Sequence, residues 1–271
     1  SGWLDRVLEV SGPGTTFRSV AVGGLLPRSL MGTSQSMSMG KLSDLNLNGQ
    51  DDAAQSEKTT TALQSLYTGV EHPISIQAVL AIEALHTVTS ITGDVAAQPT
   101  VTYPDGNLGD ALSSLATMIK ARVGVKVACI DVGGWDTHTG MGDVDSGDMK
   151  NHLSDLAIAL AAFTKDLAGD LDSTTIVTMS EFGRRVEQNA SGGTDHGHGG
   201  AVLVIGGGVS GGVHGRWDGL DGSMLEQGDV PGWNDYRDVL TEVVTTRLGI
   251  STGQMASVFP DWHPTSLGVM A

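Results

Sequence analysis

The sequence predicts an α/β fold with a mainly parallel sheet, and three observations carry that prediction. Apolar, β-branched runs at 123–131, 174–177 and 201–205 have the length and composition of short buried strands. Between the first two lies a helical stripe, Leu153, Leu156, Leu160, Phe163 and Leu167, at three- and four-residue steps. Strand, loop, helix and strand over 125–179 then make a βαβ unit, for which a right-handed crossover between parallel neighbours is the default.

In chain order, residues 2–8 suit the start of a short helix, and 17–22 a compact strand. The Met-rich stretch 31–39 lies among Ser and Gly, which fits a loop better than a metal-binding methionine box. Helical patterns follow at 51–67, opened by Asp51 and Asp52, and at 74–89 behind Pro73. His72 and His86 fall in this region without ligand-like spacing and read as packing or surface histidines. Asn107 is placed to cap a helix with an apolar face of Leu108, Leu112, Leu115 and Ile119. The long helix begins at about Asp148. After 201–205 come a glycine turn at 206–209, an edge strand at 213–217, and a helix over 234–248 capped by Asn234 and stopped by Gly249. The tail to Ala271 is loop-rich.

A chain of 271 residues with 39% apolar content supports a sizeable core, and one domain over 1–271 is expected. A net charge of −16 argues against nucleic acid or an anionic membrane as partner, since phosphate backbones demand a basic face. An anionic substrate would need local cations or a metal working against that field. The one cysteine, Cys129, excludes an internal disulfide and reads as a small core residue. An unbroken apolar run of about 18 residues does not occur, so a transmembrane segment is not expected. The first residues lack the basic and apolar regions of a signal peptide.

Chemistry concentrates at two predicted strand ends. The first carries Asp131, Asp136 and His138; the second carries Glu181, Arg184 and Arg185, and the Gly-rich loop after it adds Asp195, His196 and His198. Parallel neighbours would bring both tips to one sheet edge, where open α/β sheets place their sites. Mixed carboxylate and imidazole suit Zn, Mn or Fe, and a divalent ion would supply the positive charge that an acidic chain lacks. Asp136, His138, Asp195, His196 and His198 are the candidate metal ligands, with Glu181 and Arg184 as candidate catalytic groups. The blander alternative is a loop held by local hydrogen bonds, with the arginines paired to Glu181 or Glu187. A serine-hydrolase elbow is absent, because Ser180 stands in Met-Ser-Glu-Phe-Gly. The glycines at 206–212 lack the Lys-Ser/Thr of a phosphate loop.

The segments Trp135-Asp136-Thr137-His138, Ser180-Glu181-Phe182-Gly183-Arg184 and Gly193-Thr194-Asp195-His196-Gly197-His198-Gly199-Gly200, with Gly2-Trp3-Leu4 and 264–270, resemble the DUF1501 family. This is a family of mostly exported bacterial proteins placed in the alkaline phosphatase and sulfatase superfamily. The resemblance implies a three-layer α/β/α sandwich and twin-arginine export to the periplasm, cell surface or exterior. It further implies a metal-dependent hydrolase of small phosphate or sulfate esters. Asp136 and His138 match the superfamily's earlier Asp and His ligands, with a shorter spacing, and His196 or His198 matches the later histidine. Phe182 stands where the superfamily has a histidine ligand. The segment expected to carry the first strand and the nucleophile is not in this sequence, so a separate N-terminal fragment is an expected partner. Those departures also support a rival expectation, a catalytically degenerate binding or structural protein of the cell envelope.

Overall fold

The computed structural model describes residues 1–47 and 53–271, a mixed helix-and-sheet chain that divides into two compact units, Ser1–Asp131 and Val132–Ala271. The first unit holds a three-stranded parallel sheet in the order β2–β1–β3, where β1 is Ser19–Val22, β2 Met37–Met39 and β3 Val127–Cys129. All four residues of β1 are buried, as a central strand requires. The stretch expected as a Met-rich loop thus contributes a strand. Met-Ser-Met is itself a two-residue alternation, with Met39 turned inward at 5% exposure and register Val22↔Met39.

Helix α1 (Trp3–Val10) buries Leu4, Val7 and Leu8 together with the carboxylate of Asp5. Burial acts to raise the Asp5 pKa, but N–H donation from Ser34 and Thr33 outweighs it and holds the group an anion. Helices α2 (Ala53–Tyr67) and α3 (Pro73–Thr92) form a hairpin; the expected acidic opening at Asp51 and Asp52 lies outside the described residues. His72 caps α3, its Nδ1 accepting from the Ile74 N–H at 3.1 Å. Among the described residues α3 is the one helix long and apolar enough to cross a membrane by length and composition, with 28% of that window buried. Glu83 and His86 interrupt it, which is why a search for an unbroken apolar run passes over it. Helix α4 (Asn107–Lys120) packs on β1, and its cap is Gly106 rather than Asn107. Cys129 is half-buried on β3, where burial pushes its thiol up to about 11.

In the second unit, α5 (Asp148–Leu167) begins where predicted and buries Phe163 and Leu167, while Leu153 at the other end of the stripe is 52% exposed. The expected parallel βαβ pairing is not formed. β3 pairs with β1, whereas β4 (Thr175–Val177) pairs antiparallel with β7 (Val204–Gly206). The Gly207 N–H donates to the carbonyls of Leu171 and Thr174, drawing the end of β7 onto the start of β4 and fixing that direction.

The 213–217 stretch is not a strand: the Asn234 side chain grips both the N–H and the carbonyl of Arg216 (2.8 and 3.0 Å) in a strand's place. With Asn234 so engaged, Asp235 caps α6 (Tyr236–Leu248) by accepting from Arg237 N–H, and Gly249 at φ 65° ends it. The tail holds a further short helix, α7 (Thr252–Val258), opened by a Ser251–Gln254 capping box.

Candidate metal centre

Two backbone segments of the second unit are brought together here, and neither does so as a parallel strand tip. β5 (Gly183–Arg184) and β6 (His196–Gly197) form a two-residue antiparallel pair, with Arg184 opposite His196. Residues 189–195 then loop back over 137–141. Thr194 N–H donates to the Thr137 carbonyl, Gly140 N–H to Ser191 and Met141 N–H to Gly192. The approach is close enough that a Cβ on Gly193 would sit 2.2 Å from the His138 carbonyl carbon, so only glycine fits. Thr137 and Thr194 are buried beneath the site, each 6% exposed.

Above that floor, Asp136 Oδ1 lies 2.8 Å from His196 Nε2 and 3.0 Å from His138 Nε2. One donor atom from each of the three falls within 4.8 Å of the others, a possible metal-binding triad. The outer nitrogen of His138, Nδ1, lies 2.9 Å from Asp195 Oδ1. Asn189 Nδ2 donates to that same oxygen at 2.9 Å. Phe182 stacks on the His196 ring at 3.9 Å and 10°, and the two imidazoles are tilted at 4.8 Å. Arg184 gives one terminal nitrogen to the Thr194 carbonyl and the other to the Trp135 carbonyl, which braces the two segments. Its guanidinium also lies 3.7 Å from Asp136 Oδ1 and 4.8 Å over the Phe182 ring.

The electrostatics keep both carboxylates ionised. Asp136 is held below the usual range first by its hydrogen bond to His196, then by the nearby His138 and Arg184. Asp195 is lowered first by the Asn189 amide and next by His138. Asp136, His138 and His196 have side chains 61, 43 and 47% exposed, so the cluster faces solvent rather than closing on itself.

The donor set also suits a cation on chemical grounds. His138 presents each ring nitrogen to a carboxylate, and a neutral imidazole has only one N–H to give. A metal at Nε2 would satisfy the inner side while Nδ1–H serves Asp195. Bonds of about 2.1 Å place neighbouring ligand atoms about 3–3.4 Å apart, so Asp136 Oδ1, 2.8 and 3.0 Å from the two Nε2 atoms, needs to draw back only slightly to share an ion with them.

Of the residues singled out in the sequence, Asp136, His138 and His196 converge, and Asp195 contacts them from behind. His198 turns away to Glu226, Nδ1 to Oε2 at 3.2 Å, and packs on Gly232. Glu181 is exposed and outside the triad, and Arg185 reaches the Gln227 carbonyl. Sequence reasoning passed over Asn189, whose only signal is an Asx-turn pattern ahead of Ser191 and Gly193, and saw Phe182 only as a missing ligand rather than as a stacking partner.

Fold and site together define a mixed helix-and-sheet chain with a small parallel sheet and an open cluster of two histidines and a carboxylate. A family model described as "Protein of unknown function (DUF1501)" matches residues 1–233, and the chain belongs to that family. No curated protein matches it, and neither does any solved structure.

Proposed function

We propose that the chain is a metal-dependent hydrolase of phosphate or sulfate esters, with Asp136, His138 and His196 holding one divalent ion of the Zn or Mn type. What carries this reading is the meeting of three ligand atoms, from segments 60 residues apart, at a solvent-open corner. When bound, such an ion supplies a Lewis acid for an ester oxygen and lowers the pKa of a coordinated water. The rest falls to the chain's own groups. Phe182 fixes the plane of His196, Asp136 keeps its charge, and Arg184 contributes positive potential while its terminal nitrogens hold the loop. Glu181, exposed and next in sequence to the stacking Phe182, is the proposed acid–base group. The three-layer alkaline-phosphatase architecture, membership of that superfamily and export belong to the same proposal, carried by the sequence resemblance.

Metal-stripped protein titrated with Zn(II) or Mn(II) is expected to gain thermal stability, about 2.7 kcal/mol at 100 times Kd. His196→Ala should lose that gain and any hydrolysis of an aryl phosphate or sulfate, with the fold retained. No binding by the native protein would end the proposal.

One observation favours a second reading, a degenerate envelope-binding or structural protein. Phe182 fills the face of His196 where the resemblance places another ligand. Tight metal binding with no turnover of either ester class would favour it.

A further inference from the structure

We propose that Asp195 and Asn189 are positioning residues of this centre: Asp195 aims the His138 ring, and Asn189 aims Asp195. The inference rests on the metal-binding reading above and changes what Asp195 is expected to do. In sequence Asp195 adjoins His196 and looks like a ligand. In the fold its Oδ1 faces His138 Nδ1, the nitrogen turned away from Asp136. A carboxylate there takes the Nδ1–H, leaves the Nε2 lone pair for the ion and raises the basicity of the ring.

Asn189 is the element that makes this geometry determinate. Its Nδ2 donates to Asp195 Oδ1 and to the His138 carbonyl, both at 2.9 Å. Its Oδ1 accepts from the Ser191 and Gly193 N–H groups at 3.0 and 3.1 Å. All four hydrogen-bonding positions of the amide are used. Reversing it would set donor against donor and acceptor against acceptor, so the orientation follows from the partners. One side chain therefore links the His138 backbone, the carboxylate on the His138 ring, and the loop that delivers His196.

The test is calorimetric titration of metal-stripped protein with Zn(II), alongside long-range proton–nitrogen NMR of the imidazoles in the Zn-loaded form. His196→Ala should abolish binding. Asp195→Ala should weaken it about 10–100-fold, the usual cost of losing an outer-shell partner. Asp195→Asn, which keeps an acceptor but not the charge, should fall between Asp195→Ala and the native protein, and Asn189→Ala should weaken binding less than Asp195→Ala. NMR should show His138 protonated at Nδ1 and metal-bound at Nε2, a signature that loss of packing alone would not move. Asp195→Ala as damaging as His196→Ala would make Asp195 a ligand and overturn the inference. So would Asp195→Ala binding like the native protein, or His138 bound through Nδ1. If the native protein and His196→Ala are alike in binding nothing, the metal reading itself falls and takes this inference with it.

Discussion

The two units of this chain both bury apolar helix faces, but they hold their strands in place by different means. In the first unit β1 lies between two parallel partners with four successive residues buried, and helices α1 and α4 add Val7, Leu8, Ala111 and Met118 at 1% exposure or less. In the second, strands are two or three residues long and none of them is fully buried. There the backbone is set by polar contacts and close approach: Arg184 on two carbonyls, Asn189 with four hydrogen bonds, Gly193 against His138. Apolar burial stabilises without direction, whereas hydrogen bonds and steric fit specify direction at little net stability. A site that must aim imidazoles belongs with the second kind of construction.

That contrast predicts that damage to the two units reads out differently. The largest stability effect should come from Phe17→Ala, which empties a side chain only 1% exposed in the first unit. The expected loss is about 3–5 kcal/mol in urea denaturation. Zn(II) affinity of the molecules that stay folded should be unchanged. If Phe17→Ala weakened metal binding as His196→Ala does, the division of labour between the units would be wrong.

Gly193→Ala probes the other side. The added methyl group meets the His138 carbonyl carbon and oxygen and the Thr137 carbonyl, backbone atoms that yield only if the loop shifts. Global stability should fall by about 1–3 kcal/mol, as for other overpacked sites. Metal affinity should fall with it, because the displaced segment carries both His138 and the partners of Asn189. An unchanged Zn(II) affinity would show that the loop can move without moving the imidazoles, and the contrast would soften.

How much of this was legible beforehand follows from the same distinction. Burial leaves a periodic trace, so β1, α3, α4, α5 and the Gly249 stop were visible in the order of apolar residues. Direction does not. Whether β4 met β3 in parallel or β7 antiparallel depended on Gly207 reaching the Leu171 and Thr174 carbonyls, which no hydrophobic pattern encodes. The residue types at the site were conspicuous because Asp-x-His and Asp-His-Gly-His are rare combinations of ligand-capable groups. Which of His196 and His198 turned toward Asp136 was not, since residues two apart share a face only while a strand continues, and β6 ends at Gly197, before His198. The cap of α6 lies one residue beyond Asn234 because that side chain has a better partner in Arg216 than in its own helix.

Glu242 tests the smallest case, polar construction applied to anchoring instead of chemistry. Its Oε1 accepts from the Leu267 and Gly268 N–H groups and the Ser266 hydroxyl, and its Oε2 from the Val269 and Met270 N–H groups. Burial acts to raise the carboxyl, but those donors outweigh it and hold the pKa below the ordinary glutamate value of 4.5. A depressed folded value means the stabilisation is complete above the unfolded pKa and drains away as pH falls through the folded one. Glu242→Gln must turn an NH2 toward N–H donors on one side, so the segment should loosen at every pH. Hydrogen exchange at the amides of 267–270 should speed up about 5–30-fold at neutral pH, the equivalent of about 1–2 kcal/mol. The native protein should approach that behaviour only below pH 4.5, and the variant should show no such acid-dependent step. The tail keeps the Ser210–Val269 and Gly208–Ala271 backbone bonds, so the loss should stay local and leave the Phe17→Ala and Gly193→Ala effects larger. A variant tail as protected as the native one would mean those backbone bonds suffice, and that the carboxylate is satisfied by the tail without being what holds it.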